Sequence, residues 1–289
     1  MIYAVAVAFA VIVLFLRYYI IRYIFTPTKK VGQKEPAIPY EDIEIKSRSG
    51  TIRGWLIKNV ARKGCFILVH GWGSNKSAML RYSEALYEKG YTIILIDVFN
   101  HGASDSIQKQ ISIETFVNSI QTTIDYAETH AEIGGNGIYV LGHSMGGLAA
   151  SIVNATDARL KGLITDSIPT SLPNISQSMA GKVKIAYVPF GWLFVSWMFL
   201  RAGIFLKTRR EWQLEKIFMN QQSPALAFFS ALDEIVPIVN ADVIEHRSNF
   251  KRVIKVSTKG HNNCVEDERF WKNVYQYIEI IERKTLKKL

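Results

Sequence analysis

Ile138-Tyr-Val-Leu-Gly-His-Ser-Met-Gly-Gly-Leu-Ala-Ala-Ser-Ile-Val153 is the stretch on which the fold turns. Ile138–Leu141 is a short apolar run of the kind buried on both faces of a parallel sheet. Leu148–Val153 reads as helix. Between them stands Gly142-His143-Ser144-Met145-Gly146-Gly147, a Gly-x-Ser-x-Gly pattern at a strand-to-helix turn. A serine exposed on so tight a turn needs neighbours that tolerate close backbone approach, and glycine does. The helix that follows aims free N–H groups at any oxyanion forming there. By itself the pattern is weak. The strand before it and the helix after it give it weight.

Working outward, further short apolar runs recur at Cys65–Val69, Tyr91–Ile96, Gly137–Leu141, Leu160–Thr165, Ala225–Ser230 and Val253–Val256. Helical patterns separate most of them, among them Met79–Lys89 and Ile113–His130, and Arg269–Lys284 closes the chain. Glu41–Ser47 and Thr51–Val60 alternate in part, which predicts an antiparallel pair meeting at Ser49-Gly50. Strand-helix alternation predicts a doubly wound α/β sheet with right-handed crossovers.

A second turn, His70-Gly71-Trp72-Gly73, directly follows Phe66–Val69. It can place the Trp72 N–H beside that of Met145 as a pair of oxyanion donors, with His70, Gly71, Gly73, Gly142 and Gly146 as supporting residues. A nucleophilic serine needs a base, and the base an orienting carboxylate. Of six histidines, His70 and His143 belong to these two turns, His101 to Asn100-His-Gly-Ala-Ser104, and His130 and His246 to helices. His261 remains, just after the last strand. Asp233, in Ala231-Leu-Asp-Glu-Ile-Val-Pro237, follows the preceding strand, with Asp166 as the reserve acid and Glu234 and Asp242 as weaker choices. The order Ser144, Asp233, His261 is that of a strand-turn-helix hydrolase.

These residues together resemble the α/β-hydrolase superfamily, and within it the serine-aminopeptidase-like and monoacylglycerol-lipase-like branch. The likeness runs from Glu41 to the C-terminus and is vague across one insertion. It implies an α/β-hydrolase fold, a mostly parallel sheet flanked by helices. Many such proteins have Asp-x-Arg-Gly-His-Gly-x-Ser after the fourth strand. Here Asp97-Val-Phe-Asn-His-Gly-Ala-Ser104 puts Phe99 for the arginine and Asn100 for the first glycine. Asn tolerates positive φ, so the turn is expected to survive.

Ile2–Leu16 carries no charge. Extended to Ile21 it makes about 30 Å of helix, enough for a hydrocarbon core. No basic residue precedes it, whereas Arg17, Arg22, Lys29, Lys30 and Lys34 follow. A cleaved leader would need a positive start and a small-residue cleavage site. Residues 1–25 are therefore expected to be a single-pass transmembrane anchor, with the N-terminus outside and the folded domain cytoplasmic. Residues 26–40 read as a linker and 41–289 as the hydrolase domain. An insertion at about 167–222, containing the apolar stretch Val188–Leu200, reads as a cap over the site.

The net charge is +10, but no zinc-finger spacing, RRM signature or basic-aromatic tract accompanies it, so nucleic acid is not an expected partner. Cys65 and Cys264 form neither a disulfide framework nor a metal cluster. No metal or organic cofactor is expected. The expectation is a serine hydrolase of esterase or lipase type, with membrane contact through the N-terminal helix. Its ester is lipophilic, such as an acylglycerol or lysophospholipid, and the sequence does not set the oligomeric state. Peptidase, amidase, thioesterase and acyltransferase chemistry would use the same three residues. A catalytically inactive, membrane-tethered binding protein is the rival from another class.

Overall fold

Alternation inside one five-residue strand explains how the sheet is buried. Cys65, Ile67 and Val69 enter one apolar cluster, with Phe116, Ile120 and Val153. Phe66 and Leu68 enter another, with Tyr82, Leu86 and Phe270. Each such side chain contributes about 1.5–3 kcal/mol on burial, and a strand covered on both faces has no polar side to show. The structure, a computed structural model, describes residues 2–25, 34–108, 112–170 and 214–286.

Eight strands form one sheet in the order β1-β2-β4-β3-β5-β6-β7-β8. They are β1 Glu41–Ser47, β2 Gly50–Ile57, β3 Cys65–Val69, β4 Thr92–Ile96, β5 Ile138–His143, β6 Leu160–Asp166, β7 Ala225–Leu232 and β8 Arg252–Lys259. β1 and β2 form the expected antiparallel hairpin, and β2 runs antiparallel to β4. From β4 through β8 all pairings are parallel. Among the described residues the α-helices in chain order are α1 Ile2–Phe25, α2 Leu80–Glu88, α3 Ile113–Thr129, α4 Ala131–Gly134, α5 Met145–Thr156, α6 Leu214–Met219, α7 Val239–Arg247 and α8 Glu268–Leu286. α3 and α5 cover one face, α2 and α8 the other.

The chain leaves β3 toward β4 on one side and returns to β5 on the other. Between β3 and β5 the strand order therefore reverses, which opens a crevice at the carboxyl edge of the sheet. Val69 pairs with Gly142 there, so both glycine-rich turns leave the sheet side by side.

The expected cap falls mostly on residues 171–213, outside the described residues. At its near end Thr170 is held to Asn240 by its N–H, at 2.9 Å. The expected linker is not free throughout: Ile38 and Tyr40 pack on the second cluster, and the Ser77 hydroxyl donates to the Lys34 carbonyl at 2.8 Å. Among the described residues no helix is long and apolar enough to cross a membrane. α1 is a 24-residue helix with exposed apolar side chains such as Val5, Phe9 and Leu14, but several of its side chains lie outside the description. The transmembrane anchor expected for residues 1–25 is therefore not shown.

Candidate active site

Ser144 stands between β5 and α5 with φ 52° and ψ −121°. A non-glycine residue in that conformation is strained, and close packing holds it there. The Ser144 N–H donates to the Asp166 carbonyl at 2.8 Å. A Cβ on Gly146 would lie 2.4 Å from the His70 carbonyl oxygen, and one on Gly142 would lie 2.6 Å from the Gly146 backbone. Neither position has room for a side chain, so the sequence pattern reflects close approach. Met145 heads α5, so its N–H is among the donors that the first helical turn leaves without an intrahelical partner.

The second turn lies against the first. A Cβ on Gly71 would come within 3.1 Å of Ser144 Cβ and 3.3 Å of His143 Nδ1. Trp72, next along, stacks on Phe116 and packs with Met145 against the first cluster. Two buried histidines brace this turn. The Val98 N–H donates to His70 Nε2 at 3.1 Å, so the His70 proton is on Nδ1, which donates to the Gly71 carbonyl at 2.8 Å. The Gly73 N–H donates to His101 Nε2 at 3.1 Å, and His101 Nδ1–H donates to the Phe99 carbonyl. Burial lowers the pKa of both rings, that of His70 to about 4. Both stay neutral, as their acceptor roles require.

The turn after β4 survives its departure from the family pattern. Asn100 takes φ 68°, and its side chain accepts the Ile107 N–H at 3.0 Å. Phe99 is wholly buried. Asp97 accepts the Lys76 and Ala103 N–H groups and pairs with the Lys76 ammonium at 2.9 Å.

On the other side of the crevice, His261 Nδ1–H donates to Asp233 Oδ2 at 2.7 Å. The other oxygen, Oδ1, accepts the N–H groups of Ile235 and Val236 at 2.8 and 2.9 Å. The two loops are joined by Gly260 N–H to the Leu232 carbonyl, 3.0 Å. His261 also reaches the serine turn: its carbonyl accepts His143 Nε2–H at 2.9 Å, and the two rings lie 4.7 Å apart. Burial holds His143 well below the usual histidine range. His261 Nδ1 is thus committed to Asp233, and Nε2 is its other ring nitrogen.

The carboxyl edge thus brings together Ser144, Asp233 and His261 with the turns carrying Trp72 and Met145. Asp166, the reserve acid, has its carboxylate occupied by Tyr82 and Ser167. His130 and His246 bond to carbonyls of their own helices, Tyr126 and Asp242. The bracing roles of His101 and His143 were missed in the sequence, although each lies at or within a few residues of a strand end. Among the described residues no group of three or more His, Cys, Asp or Glu could hold a metal ion.

Comparison with known proteins agrees with this fold. A family model described as Alpha/beta hydrolase family matches residues 66–255. By sequence, the uncharacterized protein YfhR of Salmonella typhi is 27% identical over 172 residues, covering 54% of this chain and 58% of YfhR. The match thus spans less than two thirds of that relative. A thermostable monoacylglycerol lipase of Bacillus sp. (strain H-257) is 23% identical over 207 residues, covering 68% of this chain and 81% of the lipase. By structure, the Pyrococcus furiosus esterase Pf2001 superposes with a TM-score of 0.72 at 19% identity, over 90% of this chain and 98% of the esterase. Est1E of Butyrivibrio proteoclasticus, with ferulic acid bound, gives 0.62 at 18% identity, over 85% and 98%. At these identities the structural likeness speaks for the fold.

Proposed function

The chain belongs to the Alpha/beta hydrolase family, and from that premise we propose that it is a serine hydrolase which cleaves a lipophilic carboxylic ester through an acyl-enzyme on Ser144. One observation carries the reading: the 2.7 Å bond from His261 Nδ1 to Asp233, in a loop whose His261 carbonyl holds His143, the chain neighbour of Ser144. In this mechanism Nε2 takes the Ser144 proton as the hydroxyl attacks the ester carbonyl. Asp233 holds the ring and stabilises the imidazolium. The N–H groups of Trp72 and Met145 receive the oxyanion, each worth about 3–4 kcal/mol at the transition state. His261 then protonates the leaving alcohol, and water releases the acyl group by the reverse roles.

The substrate class rests on how α1 joins the domain. Its uncharged stretch Ile2–Leu16 and the exposed apolar side chains of Val5, Phe9 and Leu14 suit a lipid surface, and we propose that it anchors the chain at the membrane. Eight residues, 26–33, separate it from Lys34, and a fully extended chain of that length spans at most about 30 Å. Lys34 is held by Ser77, in the 3-10 turn Lys76–Met79 that follows the Trp72 turn. A site tethered so close to the bilayer suits an acylglycerol or lysophospholipid. The basic residues after α1 favour a cytoplasmic domain.

The test is a fluorophosphonate probe on the detergent-solubilised protein. Labelling should vanish in Ser144→Ala and fall sharply in His261→Ala, and p-nitrophenyl esters of rising chain length should size the pocket. Absence of labelling in folded wild type sinks the reading. Deleting residues 1–25 should release the protein from the membrane fraction. A C-terminal reporter found outside the cell would reverse the orientation while leaving the chemistry untouched.

A further inference from the structure

Behind the serine turn lies a chain of buried polar groups for which the mechanism above has no use. Tyr82 Oη–H donates to Asp166 Oδ2 at 2.5 Å, and Ser167 Oγ–H donates to Oδ1 at 2.9 Å. Ser167 Oγ lies 3.6 Å from Cys264 Sγ. The Ser167 proton is already committed to Asp166, so the thiol is the donor in that last contact. Burial raises the Cys264 pKa and keeps the proton on sulfur. All four side chains are wholly buried.

Each end of this chain meets the site. The Asp166 carbonyl accepts the Ser144 N–H. Cys264 opens the 3-10 turn Cys264–Glu266, three residues beyond His261. On the opposite flank, His143 holds the His261 carbonyl. Ser167 adopts φ 54° although it is not glycine, a conformation that strains a serine. Glycine would adopt it freely but could not span Asp166 and Cys264. Apolar packing would fill the same space without desolvating a carboxylate. A strained serine and a buried carboxylate, joined in one path between the two catalytic loops, indicate a shared geometric task.

We propose that Asp166, Ser167 and Cys264 are positioning residues: a buried strut that sets the His261 loop against the Ser144 turn. The inference rests on the serine-hydrolase reading. Catalytic groups must be held to within about 0.5 Å, and the His143, Asp233 and Leu232 contacts all attach the loop at Gly260 and His261, about which the stretch beyond could pivot. The strut removes that freedom.

Three variants of the full chain test it: Ser167→Gly, Cys264→Ala and Cys264→Ser, assayed with p-nitrophenyl butyrate alongside thermal unfolding. In Ser167→Gly the lost hydrogen bonds and the relieved strain roughly offset each other, so the midpoint should stay within about 4 °C of wild type. Its kcat should fall about 10- to 100-fold with KM within about twofold. Cys264→Ala should lose kcat likewise. Cys264→Ser, whose hydroxyl can still donate to Ser167, should restore most of it. A purely structural role would not separate kcat from KM or be rescued by serine. If folded Ser167→Gly and Cys264→Ala keep kcat within about twofold, or Cys264→Ser is as impaired as Cys264→Ala, the strut is refuted while the hydrolase reading stands. A folded wild type inert to both probe and ester overturns the hydrolase reading and this inference with it.

Discussion

Replacing Gly71 with alanine should slow the chemistry while leaving the protein folded. The added methyl would lie 3.1 Å from Ser144 Cβ, 3.3 Å from His143 Nδ1 and 3.5 Å from the His143 carbonyl. Carbon atoms rest at about 3.5–4.0 Å, so the Trp72 turn must retreat from the serine turn by about 0.5 Å. Oxyanion donors work within a window of about 2.7–3.1 Å, and losing one outright costs about 10²–10³ in kcat. A partial retreat should therefore cost about 10- to 100-fold, or about 1.4–2.7 kcal/mol of barrier. Backbone conformation adds no penalty, because Gly71 is not in the left-handed region, and the crowding should cost about 1–3 kcal/mol of stability. The assay is kcat and KM on p-nitrophenyl butyrate, with thermal unfolding in parallel. Gly146→Ala is the contrast: its methyl would meet the His70 and Val69 carbonyl oxygens at 2.4 and 2.5 Å, and folding itself should fail. A folded Gly71→Ala protein with kcat within about twofold of wild type would refute the placement of the oxyanion donor on this turn.

Stability should fall as pH drops from about 6.5 toward 4, in part through His70. Its folded pKa, about 4, lies below the ordinary histidine value because burial disfavours the charge. Across that window the unfolded chain binds the extra proton, so stability is full above it and declines by up to roughly 3 kcal/mol on acidification. Urea unfolding of His70→Gln should show a shallower loss over the same interval, and an identical slope would remove His70 as the cause. The buried Lys76–Asp97 pair, with side-chain exposures of 10% and 2%, should also show its coupling. Asp97→Asn strands the ammonium and should cost about 3–5 kcal/mol, and adding Lys76→Met should recover a good part of it. A loss below about 1 kcal/mol in the single variant would mean that Lys76 finds water instead.

What could be read from the sequence was what strand burial and chain order dictate. Runs such as Phe66–Val69 and Ile138–Leu141 have no polar face to offer solvent, so both-sided burial followed from composition. The chemistry-bearing residues then fell at the carboxyl ends of those runs. Strand ends were less legible. β7 continues to Leu232, which is 60% exposed, and β8 extends from Arg252 to Lys259; both are paired along ladders whose outer residues are polar or solvent-facing. Asp166 looked like a reserve acid because it closes a strand. Its capture by Tyr82 depends on where α2 packs, a tertiary fact with no local signal.

The histidines show why elimination could single out His261 and yet say little of what the others hold. A neutral imidazole donates from one nitrogen and accepts at the other, so a single ring can join an N–H of one loop to a carbonyl of another. His70 links Val98 to Gly71, and His101 links Gly73 to Phe99. His143 holds the His261 carbonyl. Burial keeps all three uncharged, and this link works only while they are uncharged. His261 differs in a way that bears on its role. One nitrogen is committed to a carboxylate instead of a carbonyl, so a positive charge on the ring has a partner waiting. On the proposed mechanism, the histidine that carries a proton is thus distinguished from those that hold loops by the charge of its partner, and strand order had already pointed to that partner, Asp233.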